Sequence, residues 1–216
     1  MIHDHLERLR NKGFHPSNIL DIGANNGNFT RFCKYLWPLS RVHMIEANSE
    51  CIPNLIQLNE PFYHQLLGSE DNRVINFYKT RVSNTCTGNS VYRENTCAYS
   101  DENLIVETKS LITLDTLFKD KNVRFDFAKL DTQGSELDIM KGGTKTLSTC
   151  KYILLEVSLK YYNEGIPLKD EVVNHMKDFG YEGFEVIEQH IWESPEKVKD
   201  IKNGEVFQED IMFIKD

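Results

Sequence analysis

Apolar residues recur along the chain with two alternating periods. Ile2, Leu6 and Leu9 stand at helical spacing ahead of Gly13, so residues 2–12 read as a short amphipathic helix. Ile19-Leu20 and Ile22 form a compact apolar run, the mark of a buried strand. Phe29, Phe32, Cys33, Leu36 and Trp37 return to helical spacing. Arg41–Ala47 is a second strand, residues 50–58 a helix, and Phe62–Leu67 a third strand. Further on, Leu114–Phe118 reads as a short helix and Phe125–Leu130 as a clear strand, followed by a helix around Ile139-Met140 that stops at Gly142-Gly143. A strand Tyr152–Val157, a helix around Lys169–Phe179 and strands around Phe184–Ile187 and Ile211–Ile214 complete the series. Strands alternating with helices predict an α/β fold, a mostly parallel, doubly wound sheet with helices on both faces.

The pattern breaks between residues 73 and 109. Val74–Tyr78 alternates only loosely, residues 81–103 are rich in Ser, Thr and Asn, and β-type residues return at Ile105-Val106 and Leu111-Ile112. Two or three antiparallel strands with a long polar loop fit this segment. A loop of this length is either a substrate-selecting surface or a disordered insertion. With no internal repeat and no composition shift, the expectation is one domain over residues 1–216 carrying a variable β insertion.

Composition narrows the classes of partner. A net charge of −8 disfavours a nucleic-acid substrate, although Arg73, Lys79, Arg81 and Arg93 could form a local basic patch on the insertion. No apolar run approaches membrane-spanning length, and the first residues lack a signal peptide's basic and apolar regions. The five cysteines (Cys33, Cys51, Cys86, Cys97 and Cys150) are scattered and show no C-x-x-C pair, which points to reduced thiols in a cytoplasmic compartment. The charge run Lys197–Lys202 reads as a solvated face.

Candidate chemistry gathers at the carboxyl ends of strands, where open α/β sheets bind ligands. Asp21, Gly23, Asn25, Asn26 and Gly27 follow the first strand. Their G-x-x-x-G spacing differs from the G-x-G-x-x-G that suits a pyrophosphate and leaves room for a ligand without phosphates, such as S-adenosylmethionine. A plain strand–turn–helix is the alternative. Glu46 ends the second strand at the distance from Asp21 typical of a ribose-binding carboxylate, or else caps the next helix. Asp131, Glu136 and Glu156 are carboxylates on the same edge, suited to take a proton from an acceptor or to orient it, with Asp131 the first choice. Glu136 could instead stabilise a helix N-terminus and Glu156 hold a loop. His43 and His64 read as structural, and no compact group of Asp, Glu or His announces a metal.

Several segments, in order, resemble FkbM-type S-adenosylmethionine-dependent methyltransferases. They are Ile19-Leu-Asp-Ile-Gly-Ala-Asn-Asn-Gly27, Met44-Ile-Glu-Ala47, Leu66-Leu-Gly-Ser-Glu70 and Leu111-Ile-Thr-Leu-Asp-Thr-Leu117. Phe127-Ala-Lys-Leu-Asp-Thr-Gln-Gly-Ser-Glu136 is the most specific, with Leu155-Glu-Val-Ser158 and Asp210-Ile-Met-Phe-Ile214 behind it. The resemblance implies a Rossmann-like class I methyltransferase fold of seven strands, the last antiparallel. It further implies Asp21, Gly23, Asn25 and Gly27 along the methionine part of the cofactor. Glu46 would take the ribose hydroxyls with Ala47 beside it, and Ser69 and Glu70 would lie near the adenine. Asp131 and Gln133 would face the junction with the acceptor. The family's acceptors are hydroxyls of sugars, polyketides and related small molecules. A nucleic-acid methyltransferase and a non-catalytic interaction module on the same fold are the competing expectations. Residues 81–103 do not follow the family pattern, and the oligomeric state is not written in the chain.

Overall fold

The structure is a computed structural model that describes residues 1–82, 87–194, 196, 198 and 200–215. Cys86, and Lys197 and Lys199 of the charge run, lie outside the described residues.

Seven strands form the main sheet: β1 (Asn18–Ile22), β2 (Arg41–Glu46), β3 (Phe62–His64), β7 (Phe127–Leu130), β8 (Tyr152–Ser158), β9 (Gly183–Ile191) and β10 (Val206–Ile214). Their order is β3-β2-β1-β7-β8-β10-β9. All neighbours pair in parallel except β10, which is antiparallel to both β8 and β9. This is the seven-stranded, mostly parallel sheet that the resemblance implies.

Both faces are buried, as the continuous apolar strands require. Leu20, Ile22, Ala128, Leu130 and Leu155 face one core, covered by α4 (Leu114–Phe118), α5 (Glu136–Lys141), α6 (Thr144–Leu147) and α7 (Lys169–Asp178). Ile19, Phe127, Leu154 and Met212 face the other, covered by α1 (Ile2–Asn11), α2 (Asn28–Leu36) and α3 (Ile52–Ile56). Asp21 and Lys129 break this pattern, being polar positions inside two apolar strands.

The stretch expected as one third strand divides. Only Phe62–His64 joins the main sheet; after Gln65 the chain crosses to a second sheet, where β4 (Leu66–Leu67) pairs in parallel with β6 (Leu104–Ile112). β6 pairs antiparallel with β5 (Val74–Thr80), the antiparallel pairing expected of the insertion. Two lysines fasten this small sheet to the end of β2. Lys109 Nζ donates to the Ala47 carbonyl at 2.7 Å, and buried Lys79 bridges Glu50 and Glu107 at 2.6 and 3.1 Å. The polar loop is folded where it is described: Ser90 pairs with Tyr78, Glu94 bridges to Asn163, and Cys97–Tyr99 is a 3-10 turn.

The last strands are longer than their apolar residues indicate. β9 and β10 include Glu188–His190 and Gln208–Asp210, polar residues whose partners are specific rather than hydrophobic. No helix among the described residues is long and apolar enough to cross a membrane. Cys33, Cys97 and Cys150 are free thiols.

His43 on β2 is buried against Phe125 and Phe118, with ring centroids 5.1 and 5.9 Å away. Burial, with Arg41 nearby, lowers its pKa to about 4. The unfolded chain therefore takes up this proton first, so His43's contribution to stability is complete above pH ~6.5 and is lost as pH falls toward 4. His43→Phe should remove about 2 kcal/mol of the wild type's loss between pH 7 and pH 5, as read from urea unfolding at the two pH values. Equal losses in both proteins would refute the assignment.

Candidate functional site

The carboxyl ends of β1 and β7 approach closely. Gly23 adopts φ +74°, and a Cβ there would overlap the Asp131 carbonyl oxygen. Gly23 and Ala24 both donate to the Ile45 carbonyl, at 2.9 and 3.1 Å, and Asp131 donates to Ile22 at 3.1 Å, so three strand ends are tied together. Above them opens a cavity of about 750 Å3. Its wall includes Gly23, Asn25, Glu46, Asp131, Gln133 and Glu156. Ala47 also lines it.

Glu46 stitches two turns. Its Oε2 accepts from the Asn25 backbone at 2.8 Å and its Oε1 from the Asn48 backbone at 2.7 Å. Burial raises its pKa, opposed by these two hydrogen bonds. Each oxygen keeps a second lone pair for a ligand.

Asp21 lies under the cavity, fully buried, and Thr30 donates to its Oδ2 at 2.6 Å. It is the register partner of Lys129, whose Nζ stands 3.8 Å from Asp21 and 3.1 Å from Asp131. Burial opposes the charge on Lys129, yet Asp131 and Asp21 hold its pKa above the ordinary value. Burial raises Asp21's, with Lys129 opposing.

Gln133 bridges two carboxylates. Its Nε2 donates to Asp131 Oδ1 at 3.2 Å and to Glu156 Oε2 at 2.6 Å, from a backbone at φ +58° that few side chains adopt. Gln208 Nε2 donates to the same Glu156 oxygen at 3.1 Å. Burial, with the charges of Asp131, Glu136 and Asp210 nearby, raises Glu156 well above the usual carboxylate range.

The remaining expected residues stand apart from the cavity wall. Gly27 begins α2 with φ +78°, packed under Leu58 and Leu55. Glu136 accepts from the Thr132 and Gly134 backbone at 2.6 and 2.9 Å and so closes the turn that carries Gln133; burial brings its pKa up to about 7. Ser69 lines an adjoining cleft of about 220 Å3, and Glu70 is exposed beside Arg73 at 3.0 Å. Three of the four basic residues expected on the insertion are ion-paired. Arg73 pairs with Glu70, Lys79 with Glu50 and Glu107, and Arg93 with Asp101. Among the described residues no group of three His, Cys, Asp or Glu could hold a metal ion.

A family model for the methyltransferase FkbM domain matches residues 21–182. The chain belongs to the FkbM methyltransferase family. Among solved structures, it is similar to methyltransferase FkbM from Methylobacillus flagellatus KT at 16% identity and a TM-score of 0.55, over 91% of this chain and 43% of that one. It is also similar to the N-terminal domain of EvdMO1 with SAH bound, at 10% identity and a TM-score of 0.54, over 99% and 81% of the two chains. A third is an S-adenosylmethionine-dependent methyltransferase from Clostridium acetobutylicum ATCC 824, at 9% identity and a TM-score of 0.53, over 99% and 91%. At these identities the likeness is one of fold. No curated protein matches the chain.

In this FkbM-family chain, inspection of the sequence alone overlooked Lys129, Gln208 and His3. Lys129 carries a legible signal: a lysine within an apolar strand must be paired, and Asp131 lies two residues on, on the same face. Gln208 and His3 reach the site only through long-range folding, from β10 and from α1, where His3 stacks on Phe32 at the cavity rim.

Removing the cation leaves two carboxylates without a counter-charge. Lys129→Met should cost about 3 kcal/mol of stability, and adding Asp131→Asn should restore part of it. Urea midpoints of the single and double variants test this; an unchanged midpoint in Lys129→Met would show that the pair has no structural weight.

Proposed function

We propose that this chain transfers a methyl group from S-adenosylmethionine to a hydroxyl oxygen of a sugar or another small polyhydroxylated molecule. The observation that carries this reading is a single cavity with Glu46 on one wall and the Asp131–Gln133–Glu156 cluster on another. Its volume is in the range of cofactor sites, roughly 300–1,000 Å3.

The residues present fit the cofactor. Gly23 offers close backbone approach, the Glu46 carboxylate accepts from a ribose diol, and Leu67 and Ile139 supply apolar wall beside Ala47. Three cavity carboxylates against one lysine make the site attractive to a sulfonium and repellent to phosphates. When bound, S-adenosylmethionine supplies an activated methyl group and leaves as the neutral thioether.

The protein's own contribution is to position the acceptor and manage its proton. Asp131, anchored by Lys129, orients the acceptor. Glu156, with its raised pKa, has the proton affinity to take the hydroxyl proton as the new carbon–oxygen bond forms. Glu136 holds the turn that carries Gln133. The sugar assignment is supported by the N-terminal domain of EvdMO1, a fold neighbour at 10% identity crystallised in the presence of SAH and D-fucose. The acidic net charge agrees with a small acceptor rather than a nucleic acid.

Calorimetry should find S-adenosylmethionine binding on the order of −8 kcal/mol, a micromolar Kd. Glu46→Gln should weaken it about tenfold to a hundredfold. A folded wild type that binds none would overturn the reading.

Glu156→Gln should lower methyl transfer at saturating cofactor by about 10²–10⁴-fold. Mass spectrometry of a sugar and polyol panel, scored for the gain of one methylene, provides the rate; full activity in the variant would exclude Glu156 as the proton acceptor.

A further inference from the structure

Because β10 runs against its neighbours, its first half, not its end, lies at the carboxyl edge of the parallel strands. Gln208 pairs there with Ser158 and Asp210 with Glu156. A register shift between Val206 and Gln208 marks the place where β10 enters this position. Gln208 is 5% exposed. Its amide ends on Glu156 Oε2, the oxygen that Gln133 also reaches. No donor among the described residues reaches Glu156 Oε1, and Glu156 lines the cavity.

Two N–H donors on one oxygen do two things. They fix the carboxylate's rotation, so that the other oxygen alone is presented to a ligand. They also favour the ionised form, against the burial and like charges that oppose it. The residue type suits the task. Asp131, Glu156, Asp210 and Glu188 form a row across neighbouring strand ends, with Asp210 the register partner of both Glu156 and Glu188. An acid at position 208 would add to that repulsion, whereas an amide donates without charge.

We propose that Gln208 is a positioning residue for methyl transfer: it pins Glu156 Oε2 so that Oε1 faces the acceptor and receives its proton. This rests on Glu156 being the proton acceptor, as proposed for the reaction. The charged groups around Glu156 are Asp131 and Lys129 from β7 and its end, Glu136 from α5, and Asp210 from β10. His190 on β9 stands behind Asp210, its Nε2 2.8 Å from Oδ2.

The test is a carbon-13 NMR titration of the Glu156 side-chain carboxyl in the full chain, assigned with Glu156→Gln. Gln208→Met keeps the length and removes the donor; Gln208→Leu serves if that variant does not fold. Loss of the donor should raise the Glu156 pKa by about one unit, and the acid limb of the kcat profile for a panel of free hexoses should move with it. His190 should titrate as in the wild type. A Glu156 titration unmoved in the folded variant would overturn the positioning role, whatever the activity. A titration that moves while Glu156→Gln keeps full kcat would overturn it by a different route, because the proton acceptor would then lie elsewhere.

Discussion

The candidate site depends on how closely the ends of β1 and β7 can approach. These strands lie at the point where the strand order reverses, with β2 and β3 on one side and β8, β10 and β9 on the other. Connections leave in opposite directions there, and a crevice opens above the sheet. Gly23 brings the two ends together, since any side chain at that position would meet the Asp131 backbone. The turn after β1 is thereby set beside the turn after β7, and Glu46 ties the first turn to β2 through Asn25.

Charge is arranged around the same junction. Asp21 and Lys129 occupy core positions of adjacent strands and face each other because the register pairs them. A lone carboxylate or a lone ammonium at either position would carry a large desolvation cost. Lys129 has a second partner in Asp131, so the buried interaction reaches up to the cavity floor. From there Gln133 and Gln208 extend the network as neutral donors to Glu156. The network alternates charged and amide groups, which limits like-charge contact among closely spaced acids.

The sheet was legible in the sequence wherever both faces are apolar. β1, β2, β7 and β8 emerge from their hydrophobic runs within a residue or two at each end. β9 and β10 read too short because Glu188–His190 and Gln208–Asp210 serve hydrogen bonds instead of packing. Phe62–Leu67 read as one strand because composition does not say which of two sheets a strand will join. The site divides along the same line. The carboxyl ends of apolar strands and the turns after them placed Gly23, Glu46, Asp131, Gln133 and Glu156 in one cavity. Asp21 and Gly27 were legible as part of the motif, but they support the turn from below. Gln208 and His3 come from distant parts of the chain and have no local signature.

That dispersal has a consequence for how the protein folds. The cavity wall and its supports draw on residues from His3 to Gln208, nearly the full span of the chain. Such a site cannot form before β10 has inserted between β8 and β9, the strand of highest sequence number entering the sheet's interior. Long-range pairings of this kind are slow to form because loop closure precedes their reward. A ligand that fills the cavity therefore binds the completed fold and not its precursors. At a hundredfold excess over its Kd it would add about 2.7 kcal/mol to the stability of the domain.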